Sequence, residues 1–158
     1  MSDSQKIFLD TNLLIYAHTN ADILKQQKVQ NIIINQNTVI STQVFKEAAN
    51  VFSKKFKFVW PDIQWVLQEM KQNNRVHTNT FSTIQQACQI ADRYNYSFYD
   101  SLILAAALEA ACPLLFSEDL QHRQLIEQAL TIKNPFIWWN CRFEFVEDFL
   151  SYLYYSDN

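Results

Sequence analysis

The sequence predicts a single α/β domain built on a mainly parallel sheet. Its alternating pattern and its length indicate this, and its lack of glycine narrows the class. Short apolar runs alternate along the chain with longer segments of helical periodicity, which is the pattern of strands joined by crossover helices. The length of 158 residues suits one domain with a sizeable core. The chain contains no glycine, which excludes the glycine-rich phosphate loops of Rossmann and Walker proteins.

The first half of the chain opens with the apolar run KIFLD, which predicts a strand that ends on Asp10. TNLLIYAHT then turns helical, and ADILKQQKVQNIIINQN repeats apolar residues at positions 23, 24, 29, 32 and 33, which is helical spacing. TVIS is a second short strand, and either Ser41 or Thr42 supplies an N-cap for the helix after it. The predicted elements here are strands 6–10 and 38–41 and helices 11–19, 21–37 and 42–56.

The second half repeats this alternation. WPDIQWVLQEMKQN has Pro61 in its first turn, where helices tolerate proline. FYDSLILAAALEA is almost entirely apolar or small and is typical of a buried helix, while EDLQHRQLIEQAL predicts one further helix. The predicted elements here are strands 75–78, 113–117 and 131–134 and helices 60–73, 81–95, 98–110 and 118–130.

The net charge of −3 and the pI of about 5.5 describe an acidic chain, which is a poor clamp for duplex DNA. This charge does not exclude a nuclease whose acidic side chains bind metal ions, because the bound ions reverse the sign of the electrostatic potential around those acids. No signal peptide is recognisable, and no apolar run approaches the roughly 20 residues of a membrane span. The three widely spaced cysteines, Cys88, Cys112 and Cys141, predict reduced thiols and a cytoplasmic location.

The absence of glycine has a consequence for the backbone. Left-handed turns and helix C-caps must use asparagine or strained residues instead. Asparagine stands at many predicted helix ends, namely Asn20, Asn35, Asn37, Asn73, Asn74 and Asn95.

Two acids stand out in the first half of the chain. Asp10 ends the first strand, where the alternative role is an N-cap for the following helix. Glu47 shares a helix face with Val44 and Val51, and burial of its charge would be costly unless something neutralised it. The alternative for Glu47 is a side chain at the edge of the apolar stripe that reaches solvent.

Two further acids lie in the second half. Asp100 occupies the first turn of the apolar helix 98–110, where the helix dipole alone would favour it. Asp119 follows the strand 113–117, and the alternative is that it caps the next helix. Its neighbour Glu118 is expected to be solvated.

Taken together, these four acids predict a metal site. In parallel sheets, ligands collect beyond the carboxyl ends of the strands, and there the acids would form a pocket that only protons or cations stabilise. Oxygen ligands without histidine or cysteine suit Mg²⁺ or Mn²⁺ rather than Zn²⁺. Carboxylate-held divalent ions are suited to phosphodiester hydrolysis, because they polarise the phosphoryl oxygen and generate hydroxide from bound water.

Three segments carry a family resemblance: IFLDTNLLIYA, STQVFKEAANVF and FYDSLILAAALEAACPLLFSEDLQH. Together, from about Lys6 to Phe136, they resemble the acid-bearing segments of PIN-domain nucleases, and particularly of the VapC-type ribonuclease toxins of bacterial toxin–antitoxin operons. The resemblance implies a three-layer α/β/α sandwich and magnesium-dependent endoribonuclease activity, with a metal-activated water attacking the RNA phosphodiester. It also implies homodimers and inhibition by a cognate antitoxin that threads the active-site groove.

The resemblance assigns Asp10, Glu47, Asp100 and Asp119 to the catalytic pocket. Asp10 and Asp100 would be direct metal ligands, while Asp119 and Glu47 would hold the ion through water or orient the attacking water. Relatives often carry glycine at the positions of Ala111 and Arg123.

Four residues are the predicted substrate contacts. Asn12 and Ser117 match small polar positions that line such pockets in the family. The run SKKFKF, with Lys54, Lys55 and Lys57, follows the Glu47 helix, and together with Lys46 beside Glu47 it would steer an RNA backbone toward the metal. The alternative is a solvated helix end. Arg123 would pair with a substrate phosphate, or else lie on the surface of helix 118–130.

The segment 137–158 differs in composition from the nuclease-like domain predicted for residues 1–136. Eight of its 22 residues are aromatic, and four acids against Arg142 give it a net charge of −3. Its apolar residues share a helical face. This segment is predicted to be a helix packed on the domain or on a partner subunit, with a flap over the site as an alternative.

Two rival functions remain open from the residues alone. The first is a catalytically inactive PIN-like module that binds RNA or protein. The second is a phosphate-transfer enzyme of the haloacid-dehalogenase type, which usually has a second aspartate where this chain has Asn12.

Overall fold

The structure, a computed structural model, describes residues 5–137. The segment predicted to form a separate C-terminal helix, 137–158, lies outside the described residues except for Ile137. None of the helices in the described part combines the length and the apolar character needed to cross a membrane.

A six-stranded sheet runs through the centre of the described residues. Its order is β3-β2-β1-β4-β6-β5, and every neighbouring pair is parallel except β5 with β6. The strands are β1 (Lys6–Leu9), β2 (Asn37–Ser41), β3 (Arg75–His77), β4 (Leu114–Phe116), β5 (Leu125–Ile126) and β6 (Leu130–Lys133). The predicted α/β fold class with a mainly parallel central sheet is confirmed, with β5 as an additional strand.

Six helices surround this sheet. They are α1 (Thr11–Ala17), α2 (Ile23–Asn35), α3 (Thr42–Lys54), α4 (Trp60–Asn73), α5 (Phe81–Tyr94) and α6 (Phe98–Glu109). Helix α2 begins later than predicted, because the Asp22 carboxylate accepts a hydrogen bond from the Lys25 N–H at 3.0 Å and caps the first turn. Ser41 occupies the N-cap position of α3, although its hydroxyl makes no capping hydrogen bond. Pro61 lies in the first turn of α4, as predicted.

The core forms where the central strands meet the helices. Phe8, Leu9, Ile40 and Leu115 on β1, β2 and β4 are completely buried, as expected for parallel strands covered on both faces. Helix α6 is buried continuously over residues 101–107, so its position is set by packing along its length. The N-terminal turn of α6 emerges from this packing.

Residues 118–130 do not form the helix predicted for them. The chain makes turns there and adds β5, which pairs antiparallel with β6. Arg123, Glu127 and Gln128 have positive φ angles of 66°, 49° and 53°, which a right-handed helix does not allow. The apolar spacing that predicted a helix instead buries Ile126 and Leu130 at the end of the sheet, and this tertiary packing overrides local helix propensity.

Non-glycine residues occupy the left-handed positions of the described chain. Asn95 ends α5 with a φ of 59°, as predicted for asparagine, but the other helix-end asparagines named above do not have positive φ. Ala111 follows α6 with a φ of 53°. The N–H of Cys112 donates to the Ala107 carbonyl at 3.0 Å and that of Ala111 to the Leu108 carbonyl at 2.9 Å, which is a Schellman motif with alanine at the usual glycine position.

Replacement of Ala111 by glycine is expected to raise the free energy of unfolding by about 1 kcal/mol, because the relief of left-handed strain exceeds the entropy cost of glycine. Urea unfolding followed by circular dichroism measures the change. Ala110→Gly is the matched control, since Ala110 has a φ of −71° and only the entropy cost applies. Equal effects of the two substitutions would contradict this account.

Candidate metal and catalytic site

Asp10 lies at the carboxyl end of β1, between the strand and α1. Its backbone N–H donates to the Phe116 carbonyl of β4 at 3.0 Å, which extends the parallel pairing by one residue. The residue is 9% exposed, and its carboxylate accepts hydrogen bonds from the Thr11 N–H and the Ser117 hydroxyl, both at 2.6 Å. Asp10 is therefore the N-cap of α1 by position, and it is also anchored across the sheet.

Burial raises the pKa of the Asp10 carboxyl from 3.8 to about 6. The hydrogen bonds from Ser117 and Thr11 act in the opposite direction, and the charges of Glu47 and Asp119 raise the pKa further. The ionised form of Asp10 is thus costly in the folded chain, and a positive ion beside it would remove much of that cost.

Glu47 projects from α3 toward α1. Its two carboxylate oxygens accept hydrogen bonds from the Thr11 hydroxyl and from the Gln43 amide, the latter at 2.7 Å. The side chain is half-buried and held by these contacts at the edge of the pocket.

Asp100 occupies the first turn of α6, at the end that emerges from the core. The Ser97 hydroxyl caps the helix by accepting from the Asp100 N–H at 3.2 Å and donates to the Asp100 carboxylate at 2.6 Å. Because α6 is buried along its length, the Asp100 carboxylate stands at the tip of a fixed element.

Asp119 follows β4 and is exposed. Its carboxylate accepts from the Asn12 amide at 3.0 Å, and its N–H donates to the Ser117 hydroxyl at 3.2 Å. Ser117 thereby links Asp119 to Asp10, although its own side chain is fully buried. The alternative role of Asp119 as the cap of a following helix is wrong, because residues 118–130 form no helix.

One open pocket of about 500 Å³ joins these acids, since Asp10, Glu47, Asp100 and Asp119 all line it. Asn12 also lines the pocket, whereas Ser117 is buried and does not line it but holds the Asp10 carboxylate in place. Among the described residues, Lys46 and Arg123 are exposed and are not part of the pocket lining. The structure thus brings the four predicted acids and Asn12 together and leaves the two predicted basic contacts outside.

Glu118 also lines the pocket, and the expectation that it is simply solvated is wrong. Its carboxylate accepts from the Tyr16 hydroxyl at 2.7 Å and forms an ion pair with Lys25. The Lys25 ammonium lies 4.6 Å from the centre of the Tyr16 ring and 4.9 Å from that of Phe136. Although burial alone would lower the pKa of Lys25, its bonds to Glu118 and Tyr16 outweigh this and raise the pKa, so the ion pair stays formed.

The donor set of the pocket fits a hydrated Mg²⁺ or Mn²⁺. No three histidine, cysteine, aspartate or glutamate side chains between residues 5 and 137 converge closely enough to bind one ion together. Mg²⁺ does not need three, because it keeps several waters and commonly binds through one or two carboxylates. The Oδ1 atom of Asn12 is a buried acceptor without a hydrogen-bond partner in the described part of the chain, and the water shell of an ion would supply a donor there.

Sequence reasoning missed three residues that position the acids: Thr11, Gln43 and Ser97. The signal for Ser97 was present, since Ser97 and Asp100 form an S-x-x-D pattern before an apolar run. Gln43 stands four residues before Glu47 on the same helix face. The contact between Thr11 and Glu47 spans 36 positions, and no local pattern in the sequence indicates it.

The sheet is mainly parallel, and carboxylates converge beside the carboxyl ends of its strands, so the chain is an α/β protein with an acidic pocket. Several solved structures share this fold. VapC20 of Mycobacterium tuberculosis, described as a sarcin-ricin loop cleaving toxin, superposes with a TM-score of 0.60 and 17% identity over 72% of this chain and 91% of its own. VapBC2 of Rickettsia felis, bound to promoter DNA, gives a TM-score of 0.62 at 17% identity over 82% of this chain and 98% of its own. DNA-bound VapBC of Salmonella typhimurium gives 0.61 at the same identity and coverage.

The chain belongs to the PIN domain family, which it matches over residues 7–127. That range contains all four acids of the pocket. No curated protein matches the chain in sequence.

In metal-free protein, the raised pKa of Asp10 makes stability depend on pH. The folded chain keeps the Asp10 proton up to about pH 6, whereas the unfolded chain loses it near the ordinary value of 3.8. Folding therefore binds a proton in this window, and the free energy of unfolding falls as the pH rises through it. Between about pH 4 and about pH 7, the free energy of unfolding of Asp10→Asn should rise by about 3 kcal/mol relative to that of wild type. This is the free-energy equivalent of the raised pKa of Asp10.

Chemical denaturation in the presence of a chelator measures this difference at each pH. Asp92→Asn is the control, because Asp92 is an exposed aspartate on α5 outside the pocket. A constant difference between Asp10→Asn and wild type across the range would refute the assignment.

Proposed function

We propose that this protein is a divalent-metal-dependent endoribonuclease and the toxin of a type II toxin–antitoxin pair. The observation that carries the proposal is the convergence of Asp10, Glu47, Asp100 and Asp119 on one pocket at the carboxyl ends of the parallel strands. Membership of the PIN domain family supports it.

Asp10 and Asp100 would hold the metal ion directly, and Asp119 and Glu47 would act through water molecules. When bound, Mg²⁺ or Mn²⁺ would polarise a phosphoryl oxygen and acidify a bound water. Glu47 is the carboxylate best suited to orient the attacking water, because both of its oxygens are held by Thr11 and Gln43.

The supporting residues act by fixing orientation. Ser117 and Thr11 hold the Asp10 carboxylate, and Ser97 holds that of Asp100. Such positioning lowers the barrier, because the acids do not reorganise when the substrate binds. Asn12 holds the Asp119 carboxylate through its side-chain amide, which donates to it at 3.0 Å.

RNA is the proposed substrate, and an antitoxin is the proposed partner. The M. tuberculosis neighbour is described as a toxin that cleaves the sarcin-ricin loop, and two neighbours are complexes of VapB with VapC bound to DNA. Lys46 and Arg123 remain proposed substrate contacts, and both are exposed.

We also propose that the protein forms a homodimer and acts in the cytoplasm. Large apolar side chains are exposed on α5 and α6, including Phe81, Ile84 and Tyr99, and a second copy would cover such a surface. Cys88 and Cys112 are free thiols, which suits a reducing compartment.

Asp100→Asn should lower the rate of RNA cleavage about 100-fold or more, because it removes a carboxylate that holds the ion responsible for several kcal/mol of transition-state stabilisation. Cleavage of labelled total RNA and growth arrest on induced expression are the two measurements. Asp92→Asn should keep both activities. Undiminished cleavage by Asp100→Asn would overturn the proposal.

Wild-type protein that binds RNA but never cleaves it, at any Mg²⁺ or Mn²⁺ concentration, would instead identify the catalytically inactive module. Co-expression with any small open reading frame that neighbours the gene tests the partner, since an antitoxin should restore growth.

Mg²⁺ should stabilise the wild-type protein at about pH 7, by about 2.7 kcal/mol when its concentration is about 100 times the dissociation constant. The double variant Asp10→Asn, Asp100→Asn should lose this stabilisation, because the two proposed direct ligands become neutral amides. Thermal unfolding at constant ionic strength measures the effect. An equal response of the double variant would show that the ion binds elsewhere.

A further inference from the structure

The end of α3 contributes a second group of side chains to the acid pocket. Asn50, Lys55 and Phe56 line the same pocket as the four carboxylates. The acids would meet a phosphate through a metal ion, but an amide, an ammonium and an aromatic ring offer different chemistry. These three residues, the Phe56 subsite, have the donors, positive charge and π-face that a nucleotide requires.

The Phe56 ring is held in place by packing against two aromatic rings that do not contribute to the pocket lining in the described residues. Its centre lies 6.5 Å from that of the fully buried Phe52 and 6.2 Å from that of Phe58. Phe52 and Phe58 are themselves stacked, with their ring centres 5.4 Å apart. Phe56 is therefore a half-buried ring on a rigid aromatic base that still reaches the pocket wall.

The Lys55 ammonium lies 5.6 Å from the centre of the Phe56 ring. A cation over an exposed ring is attracted only weakly, whereas a nucleobase on the same ring gains stacking along its whole face. The arrival of a nucleotide would let the base replace the ammonium. Lys55 is exposed, so its ammonium would then turn to the phosphate that the nucleotide brings with it.

We propose that the Phe56 subsite binds one unpaired nucleotide of the RNA next to the cleaved bond, with its base on Phe56 and its phosphate on Lys55. This inference rests on the proposed ribonuclease function and specifies which side chains hold the nucleotide next to the cleaved bond. A base within a duplex has both faces covered by its neighbours, so only an unpaired base can lie on Phe56. The exposed Asn50 amide supplies a donor and an acceptor for the edge of that base.

The test measures binding rather than cleavage, with the full chain carrying Asp100→Asn so that the RNA stays intact. The probes are a short oligouridylate, an oligomer of the same length with abasic riboses, and an RNA duplex of that length, each followed by fluorescence anisotropy. The oligouridylate should bind about tenfold more tightly than the abasic oligomer, as expected for one stacked base. Phe56→Leu should abolish this ratio, and Phe56→Tyr should keep it.

Trp65→Leu is the matched control, because Trp65 is an exposed aromatic residue on α4 that does not contribute to the pocket lining in the described residues. It should keep the preference for the oligouridylate. Lys55→Gln should reduce the dependence of affinity on salt by about one phosphate contact, while Lys71→Gln, an exposed lysine on α4, should not. Circular dichroism of each variant shows whether it is folded.

Three outcomes would overturn the inference: an unchanged ratio in Phe56→Leu, an equal loss in Trp65→Leu, or duplex RNA bound as tightly as the single strand. A further outcome is that Phe56→Leu weakens the binding of the antitoxin protein but not that of RNA, which would identify the subsite as a protein contact. A Phe56-dependent preference in a wild-type protein that does not cleave RNA would confirm the subsite and refute the nuclease.

Discussion

The parallel pairing of β1 with β4 puts the Asp10 carboxylate beside the Ser117 hydroxyl, and the site is arranged around that contact. Each of these residues follows its strand directly, and the backbone bond from Asp10 to Phe116 holds the two strand ends in register. A slip of β1 by one residue would turn the Asp10 side chain to the other face of the sheet, away from Ser117. Ser117 also accepts the Asp119 N–H, so the same register positions the acid contributed by the loop.

The donors that hold the pocket acids are electrically neutral. Asp10, Glu47, Asp100 and Asp119 accept hydrogen bonds from hydroxyls, amides and a backbone N–H. Such donors orient a carboxylate without cancelling its charge, and the pocket therefore keeps its negative potential. Glu118 differs, because Lys25 neutralises it. This difference in partners separates a structural carboxylate from those that are available to a cation.

Much of this arrangement could be predicted from the sequence, because it depends on strand ends and helix faces. Asp10 and Asp119 follow apolar runs, and Glu47 lies among apolar residues on its helix, so all three were recognisable from local patterns. Glu118 was not, because its partners Tyr16 and Lys25 lie about 100 positions away in the chain. The prediction of a helix at 118–130 was wrong for a related reason. The composition of this stretch favours a helix, and only pairing with the neighbouring β6 makes a strand more stable there.

The absence of glycine shows the same limit on what can be predicted from local sequence. The sequence requires other residues at left-handed positions, but it does not indicate that a Schellman turn would use Ala111 or that a hairpin would place Glu127 and Gln128 there. Such positions depend on where each element must end, and packing decides this.

Both edges of the sheet in the described residues consist of short strands. One edge is β3 with three residues, and the other is β5 with two. Few free N–H and C=O groups are therefore presented to an incoming strand, and edge-to-edge aggregation has little backbone to use. Within residues 5–137, a chain that gathers like charges at one end of its sheet thus offers little backbone for strand addition at the two sides of that sheet.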